Sequence, residues 1–206
     1  NEKHELNKNN CNFIHGDGWG IVLGKCGKME ELYKNDVACW TDQKFLEYYN
    51  VIADFVVLHA RKASSQTLVN CSYTHPFERE GWYFCHNGTV DQLLPSTISD
   101  SERFVSVILS NLQQVGNIEQ AIQNTVSQIT NYTALNFILG NNSMIHVLVK
   151  YRIRPKYYTM KYLQNKNCVI VSSEILPKLG GKWVKIKNNS LITLDIGSRQ
   201  MAFRSI

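Results

Sequence analysis

Charged side chains are scarce in this chain of 206 residues. Only 19% of the residues are Asp, Glu, Lys or Arg, and the net charge is +5, whereas globular proteins average roughly 25% charged residues. The basic residues are spread out, with one mild cluster at 150–161. A nucleic-acid surface needs a denser basic patch with interleaved aromatics. We therefore expect no nucleic-acid partner, and we interpret the tyrosines there as one face of a sheet, with RNA binding as a distant alternative. The tyrosines in and beside this cluster are Tyr151, Tyr157, Tyr158 and Tyr162.

Long apolar runs are also missing. No stretch approaches the length of about 20 apolar residues that a membrane-spanning helix needs. The first residues do not follow the pattern of a secretory signal, which combines a basic start with an apolar centre. We therefore expect a cytoplasmic protein without a membrane partner.

The six cysteines include no Cys-x-x-Cys pair. Cys85 and Cys168 fall in apolar, strand-like runs, where a free thiol behaves as a small hydrophobic side chain. A disulfide framework is not expected in a chain of this kind. The spacing of the potential zinc ligands matches no compact pattern, so we predict no metal site. The potential ligands are His59, Cys71, His75, Cys85 and His86.

The size of the chain and its 44% hydrophobic content suit one domain over residues 1–206. No internal repeat or linker divides it. Glycines at 16, 18 and 20 predict a backbone that passes very close to another segment before it enters a strand. The predicted elements that follow are a strand at 21–23, a hairpin turn at 24–27, a return strand at 29–34, a short helix at 42–49, a fully buried strand at 51–60 and a strand at 81–84.

Two helices are predicted next. The first begins after Ser99 or Asp100, which can cap it, and stops at Gly116, and the second follows Asn117. From Ala134 onward the pattern is that of β-strands, predicted at 135–139, 144–151, 156–163, 168–172, 183–187, 191–196 and 200–204. Strands, a helix pair and then more strands indicate an α+β fold in which two sheets stack with helices outside.

A set of polar residues in the middle of the chain fits a small anionic ligand that carries an amide. Arg61 follows a predicted strand and can hold a carboxylate through two parallel hydrogen bonds. Asp100 can hold an ammonium group. The side-chain amide of Asn87 and the backbone N–H of Gly88 can point at one developing oxyanion, and glycine permits the backbone conformation that this requires.

Five short motifs containing these residues resemble those of the class II glutamine amidotransferases, which are N-terminal-nucleophile hydrolases. The first is similar to the hallmark of the stand-alone type 2 branch of that family, and the resemblance runs from His15 to about Glu174. In order, the motifs are His15-Gly16-Asp17-Gly18-Trp19-Gly20, Arg61-Lys62-Ala63-Ser64, Thr74-His75-Pro76, His86-Asn87-Gly88 and Ser99-Asp100-Ser101-Glu102.

The resemblance implies a four-layer αββα sandwich of two stacked, mostly antiparallel sheets flanked by helices, and no cofactor. It implies an oxyanion hole at Asn87 and Gly88. It also implies a substrate pocket in which Arg61 binds the α-carboxylate and Asp100 the α-ammonium. Three further residues are implied near the ligand: Ser64, His75 as a pocket wall, and His86.

Each of these residues also has an ordinary structural interpretation. Arg61 could form a structural ion pair, Ser64 could be a plain loop serine, and His75 could serve only the geometry of the turn that follows it. The Asn87-Gly88 pair could be a simple turn, and Asp100 could cap a helix.

Two residues of the first motif have the same ambiguity. Asp17 and Trp19 could belong to a loop that closes over the pocket. We slightly favour a structural interpretation for both, in which Asp17 stabilises the glycine-rich turn and Trp19 lies in the core.

The resemblance also implies a cysteine nucleophile at the first position of the mature chain. Residue 1 here is Asn1, and Cys11 lies too close to His15 for the family pattern. We therefore expect the nucleophile in a segment upstream of Asn1; a protein that never had it is the alternative.

The implied reaction is cleavage of the γ-amide of glutamine through a γ-glutamyl thioester. Hydrolysis of γ-glutamyl peptides or amides by the same mechanism is one alternative, and a non-catalytic γ-glutamyl-binding or scaffold subunit is another. The expected partners are a small-molecule substrate and an acceptor-bearing synthase, and the oligomeric state is open.

Overall fold

The computed structural model describes residues 14–63, 68–93 and 98–206. The chain divides into two compact units. The first comprises the described residues up to Cys85 together with Ile138–Ile145, and the second comprises His86–Phe137 and His146–Ile206. The single domain expected over residues 1–206 stays a prediction.

The first unit contains a three-stranded antiparallel sheet in the order β2-β1-β3 and a short hairpin of β4 and β5. The predicted strand at 21–23, its hairpin turn, its return strand and the short helix are all confirmed. The elements are β1 (Trp19–Lys25), β2 (Lys28–Asn35), α1 (Lys44–Glu47), β3 (Phe55–Ala60), β4 (Phe77–Arg79) and β5 (Trp82–Asn87).

The close approach predicted for the glycine-rich segment is present. A Cβ on Gly20 would lie 2.2 Å from the carbonyl oxygen of His75. Gly18 has φ +122°, and a Cβ there would lie 2.8 Å from Oγ1 of Thr74. Glycine is therefore required where β1 begins, because a side chain would push this strand away from the segment that carries His75.

The core of the first unit forms around Trp19, which is fully buried with Ile21 and Leu23 on one face of β1. Three aromatic rings contact the indole, with ring centroids 5.3, 5.1 and 5.9 Å away. In the same order, they belong to Tyr33, Phe45 and Tyr48. These contacts place Trp19 in the core, which is the interpretation favoured from the sequence.

The carboxylate of Asp42 joins this core to the helix α1. Its Oδ2 accepts hydrogen bonds from the Trp19 indole N–H at 3.0 Å, the Tyr33 hydroxyl at 2.9 Å and the Asn35 amide at 2.8 Å. Its Oδ1 accepts from the backbone N–H of Lys44 at 3.0 Å, at the start of α1. One side chain therefore satisfies four donors.

Replacing Asp42 with alanine is expected to lower the free energy of unfolding by about 2 kcal/mol at neutral pH, because the buried indole N–H loses its acceptor. Burial raises the pKa of Asp42, but the hydrogen bonds that it accepts outweigh burial and lower the pKa overall. A lowered folded-state pKa stabilises the protein above the unfolded value, and this contribution is lost as the pH falls through the folded value.

The unfolding free energies of wild type and D42A should therefore converge below about pH 4. Chemical denaturation at neutral and acidic pH measures this difference. The control is Asp54→Ala, which removes an exposed carboxylate that accepts from the backbone N–H of Cys26. We expect a loss below about 1 kcal/mol for the control. A difference in unfolding free energy between D42A and wild type that stays constant with pH would contradict the role of the ionised Asp42 carboxylate as the acceptor of these hydrogen bonds.

The strand predicted at 51–60 is shorter and less buried than expected. It begins at Phe55, and its side chains alternate: Phe55 and Val57 are buried, whereas Val56 and Leu58 are about half exposed. The prediction of a fully buried strand is wrong because β3 lies at the edge of its sheet, and the aromatic residues of the core pack on β1. A run of four apolar residues does not by itself distinguish a central strand from an edge strand.

The second unit contains two helices and two groups of strands. Neighbouring strands follow the order β12-β11-β7-β6 in one group and β10-β8-β9 in the other. The elements are α2 (Asp100–Val115), α3 (Ile118–Gln128), β6 (Asn136–Gly140), β7 (Met144–Val149), α4 (Pro155–Tyr158), β8 (Lys161–Gln164), β9 (Val169–Ser172), β10 (Val184–Lys185), β11 (Ser190–Asp195) and β12 (Met201–Ser205).

The two predicted helices are confirmed, with the expected ends. The Ser99 side chain accepts a hydrogen bond from the backbone N–H of Glu102 at 3.1 Å and caps α2. Gly116 ends that helix in the left-handed conformation, with φ +68°, and the Asn117 side chain caps α3. Each helix buries apolar residues, at Phe104, Ile108, Leu109, Ile122 and Val126.

The strand predicted at 156–163 is wrong in its first half. Pro155 begins the short helix α4, which contains Tyr157 and Tyr158, and β8 starts only at Lys161. Proline is favoured at the first position of a helix because its N–H is not needed there. The two tyrosines therefore do not share a sheet face with Tyr151, as the sequence interpretation had it. The strand predicted at 183–187 is also reduced, to 184–185.

Within the described ranges, no helix combines the length and the apolar character needed to cross a lipid bilayer. Cys85 is buried, and burial raises the pKa of its thiol. This agrees with its predicted role as a small apolar side chain.

Candidate functional site

Arg61 lies directly after β3, where hydrogen bonds extend the pairing of β3 with β1. Its backbone N–H donates to the Gly18 carbonyl at 2.8 Å, and the Asp17 N–H donates to the Arg61 carbonyl at 3.0 Å. The residue is 4% exposed. Its guanidinium donates to the backbone carbonyl of Asp17 at 3.2 Å and of Leu68 at 3.1 Å. Burial lowers the pKa of Arg61, and the charge of Asp17 opposes that effect.

This guanidinium is fixed by backbone carbonyls rather than by a bidentate ion pair with a carboxylate. Two of its five N–H groups make the contacts described, so the group has donor capacity for a further anionic partner. The structural ion pair considered for Arg61 is therefore not the contact that orients it.

The carboxylate of Asp17 holds the segment that follows Arg61. Its Oδ2 accepts from the Lys62 ammonium at 2.8 Å and from the backbone N–H of Ala63 at 2.9 Å. Burial raises the pKa of Asp17, but these hydrogen bonds and the nearby positive charges lower it overall. Asp17 therefore has a structural role, but its carboxylate holds the segment after Arg61 and not the glycine-rich turn expected from the sequence.

His75 is buried in the first unit, with its ring centroid 4.4 Å from that of His59 and 4.7 Å from that of Phe77. The preceding Thr74 is also buried, and its hydroxyl donates to the Asn70 carbonyl at 3.1 Å. These contacts fix the segment in place, and the wall role of His75 stays a prediction.

Ser64 lies outside the described residues. Its predicted position near the ligand therefore also stays a prediction.

In the second unit, His86 and Gly88 both lie against the carbonyl of Ala134. The ring Nε2 of the buried His86 is 3.2 Å from that oxygen. Gly88 has φ +156°, and a Cβ there would lie only 2.0 Å from the same oxygen. The positive φ expected for Gly88 is therefore present, and the residue also meets a close approach that excludes every side chain. Asn87, between the two, is the partly exposed last residue of β5, and the role of its side-chain amide stays a prediction.

Asp100 is the first residue of α2, and both of its carboxylate oxygens are oriented by backbone N–H groups. Oδ2 accepts from Val90 at 2.8 Å and Oδ1 from Ser101 at 2.8 Å. A carboxylate has about four lone-pair positions, so it retains capacity for an ammonium group. Ser99, not Asp100, is the residue that caps the helix.

The structure thus brings His86, Gly88 and Asp100 into one neighbourhood of the second unit, because the residue that binds Asp100 follows Gly88 by two positions. In the first unit it brings Arg61 together with Asp17.

The sequence interpretation assigned no role to two residues of this neighbourhood, Ser101 and Ala134. The only sequence signal for Ser101 is its position beside Asp100, in the first turn of a helix. No sequence signal points to Ala134, because it contributes only a backbone carbonyl.

The family model for class II glutamine amidotransferases matches residues 6–157 of this chain. The chain belongs to that family. The match covers most of the sequence and includes every residue proposed for the site. It confirms the resemblance inferred from the five motifs.

One relative of this chain is a Haemophilus influenzae protein named "Putative glutamine amidotransferase". It is 29% identical over 148 residues, which are 62% of this chain and 50% of the relative. Glutamine phosphoribosylpyrophosphate amidotransferase from B. subtilis, solved with ADP and GMP, has 16% identity and a TM-score of 0.70. It aligns over 92% of this chain and 43% of its own.

A glutamine aminotransferase class-II domain protein from Silicibacter pomeroyi aligns with a TM-score of 0.63 and 18% identity, over 93% of this chain and 96% of its own. These likenesses confirm the predicted α+β fold of the N-terminal-nucleophile hydrolase type. The chain spans about half the length of the H. influenzae relative and less than half of the B. subtilis enzyme.

Among the residues that the structure describes, no group of three or more His, Cys, Asp or Glu side chains is arranged to hold a metal ion. His59 and His75 are in ring contact, but this pair alone does not form such a group.

Proposed function

We propose that this chain provides the glutamine-binding residues and the oxyanion hole of an enzyme that cleaves the γ-amide of glutamine. The nucleophile would be the cysteine that the family resemblance implies at the first position of the mature protein. Family membership supports amide chemistry on glutamine, and the residues described above provide groups suited to each part of that substrate.

The observation that carries the proposal is the proximity of Gly88 and Asp100 in the second unit. The backbone N–H of Val90, two residues after Gly88, binds the Asp100 carboxylate. An anion that suits the α-ammonium therefore lies near a backbone N–H that suits the amide oxygen. Glutamine is a short molecule, so both groups must lie within the reach of one small ligand.

In the proposed reaction the cysteine thiolate attacks the γ-carbonyl carbon, and the carbonyl electrons move onto oxygen. The Asn87 side-chain amide and the Gly88 N–H stabilise the resulting oxyanion. Collapse of this tetrahedral species breaks the C–N bond, and the leaving amine takes a proton from the nucleophile's own α-ammonium group and departs as ammonia. Water then attacks the thioester, which releases glutamate and regenerates the thiol.

Two further residues, Arg61 and His75, are proposed to take part in substrate binding. Arg61 would bind the α-carboxylate with its remaining guanidinium N–H groups, and His75 would form a wall of the pocket. Ser64 would lie near the ligand. The guanidinium is already oriented by two carbonyls, so little of its conformational freedom would remain to be lost on binding.

The natural full-length protein tests the proposal when its intact mass and first residue are determined beside its activity. We expect an N-terminal cysteine, release of glutamate from glutamine, and covalent labelling by a glutamine-like electrophile. γ-Glutamyl peptides run in parallel, because a preference for them would identify the leaving group as an amine other than ammonia.

A protein with an intact N-terminal cysteine that turns over neither glutamine nor any γ-glutamyl compound would overturn the proposal. Binding of glutamate without turnover, in a protein that lacks the cysteine, would instead identify a non-catalytic γ-glutamyl-binding subunit. A synthase partner that uses the ammonia is also proposed, and ammonia transfer to an acceptor in a mixture of the two proteins would test it.

A further inference from the structure

The hydroxyl of Ser101 lies between His86 and Asp100. Its Oγ is 2.8 Å from Nδ1 of His86 and 3.4 Å from Oδ1 of Asp100. Both His86 and Ser101 are buried. The His86 ring also packs edge-on against Phe104 of the same helix as Ser101, with ring centroids 5.5 Å apart. The imidazole is therefore held on one side by an aromatic ring and at both nitrogens by polar groups.

The partners of the imidazole define its protonation. A carbonyl oxygen only accepts hydrogen bonds, so Nε2 of His86 carries the proton that it donates to Ala134. In a neutral ring Nδ1 is then an acceptor, and the Ser101 hydroxyl donates to it. Burial lowers the pKa of His86, an effect that the charge of Asp100 and the bond to Ala134 oppose only in part. The neutral ring is therefore the form present at neutral pH.

The other end of this arrangement reaches the oxyanion hole. The Ala134 oxygen that accepts from His86 is the atom against which Gly88 packs without room for a Cβ. A shift of the imidazole would move this carbonyl, and with it the backbone of Gly88. The position of the Gly88 N–H thus depends on the His86 ring, and the ring depends on Ser101.

The same arrangement affects Asp100. The Ser101 hydroxyl lies 2.8 Å from Nδ1 of His86 and 3.4 Å from Oδ1 of Asp100, so its hydrogen bond to the carboxylate is the longer and weaker of the two. The carboxylate is held mainly by the backbone N–H groups of Val90 and Ser101. Its remaining lone pairs stay available to a ligand ammonium.

We propose that Ser101 is a positioning residue, which acts through His86 and Ala134 to fix the Gly88 N–H and leaves the Asp100 carboxylate available to the α-ammonium of the substrate. This inference rests on the proposed function. It assigns His86 to the support of the oxyanion hole and not to contact with the ligand.

The first test needs no turnover. In the full-length protein labelled uniformly with ¹⁵N, we expect Nδ1 of His86 to give the signal of an unprotonated, hydrogen-bonded nitrogen. Ser101→Ala should shift this signal and the backbone amide signal of Gly88. The matched control is Ser106→Ala on the same helix, whose hydroxyl donates to the Glu102 carbonyl at 2.8 Å. It should leave both signals in place.

The second test separates positioning from general destabilisation. Ser101→Ala should lower kcat for glutamine by up to about 100-fold, the order expected for a misplacement of about 1 Å, with a much smaller change in KM. Ser101→Cys retains the size and a weak donor. It should give smaller changes in the same direction, and it provides the same NMR measurement if the alanine variant does not fold.

His86 and Gly88 signals that stay unchanged in S101A or S101C would overturn the inference. Equal losses of kcat in S101A and S106A would overturn it as well. Absence of turnover in the wild type would instead overturn the proposed function, and the NMR comparison would still decide whether Ser101 positions His86 and Gly88.

Discussion

Replacing Gly88 with alanine is expected to lower kcat for glutamine by about 100- to 1000-fold, the usual cost of losing one oxyanion donor. A Cβ at this position would lie 2.0 Å from the Ala134 oxygen and 2.6 Å from its carbonyl carbon. Both are backbone atoms, so no side-chain rotation relieves the overlap, and the Gly88 N–H must move. The residue also has φ +156°, which an alanine rarely adopts.

The matched control is Gly81→Ala, in the turn that precedes β5. Gly81 also has a positive φ, +77°, but a Cβ there meets nothing within 4 Å. The Gly81→Ala variant therefore has the backbone strain of a non-glycine residue without the steric overlap. This strain costs about 1 kcal/mol or somewhat more. Steady-state kinetics and thermal unfolding of both variants measure the two effects. Activity of G88A within about twofold of wild type would contradict the role of Gly88, because the displaced donor is worth far more than that.

Local chemistry explains which structural features of the candidate site could be predicted from the sequence. The Asn87-Gly88 pair and the helix that starts beside Asp100 are both short-range signals, because a glycine with positive φ and a serine cap are properties of a few consecutive residues. The glycines at 16, 18 and 20 also predicted that the backbone passes very close to another segment, as it does at Gly20. The partner of Gly20, the His75 carbonyl, could not be predicted, because it lies far away along the chain.

The errors and omissions share a physical cause. The burial of β3 and the contacts of Ser101 both depend on which elements pack together in the fold. An apolar run does not show which elements pack against it, and a lone serine does not show which side chains it contacts. At Tyr157 and Tyr158, a single neighbouring residue determines the secondary structure. Pro155 begins a helical turn there, and this overrides the alternation that had indicated a strand.

Arg61→Lys is expected to lower kcat/KM for glutamine by about 100-fold. A bidentate contact with a carboxylate provides two charge-assisted hydrogen bonds, and each is worth about 1.5 to 3 kcal/mol. Lysine retains the charge but replaces the planar group with a single ammonium, so one of the two bonds to the substrate is lost. The substitution also removes donors to the carbonyls of Asp17 and Leu68, which loosens the segment beside the pocket.

A truncated substrate separates these two effects. 4-Aminobutyramide is glutamine without its α-carboxylate, so its turnover cannot depend on a bond between that group and Arg61. We expect R61K and wild type to cleave 4-aminobutyramide at similar rates. The ratio of kcat/KM for glutamine to kcat/KM for 4-aminobutyramide should therefore fall in R61K. Lys62→Met is the matched control, since it removes the adjacent cation, which pairs with Asp17 at 2.8 Å, and leaves the guanidinium in place. Equal losses on both substrates in R61K would show that Arg61 serves only the structure, because a clamp for the carboxylate must discriminate between ligands that have this group and ligands that lack it.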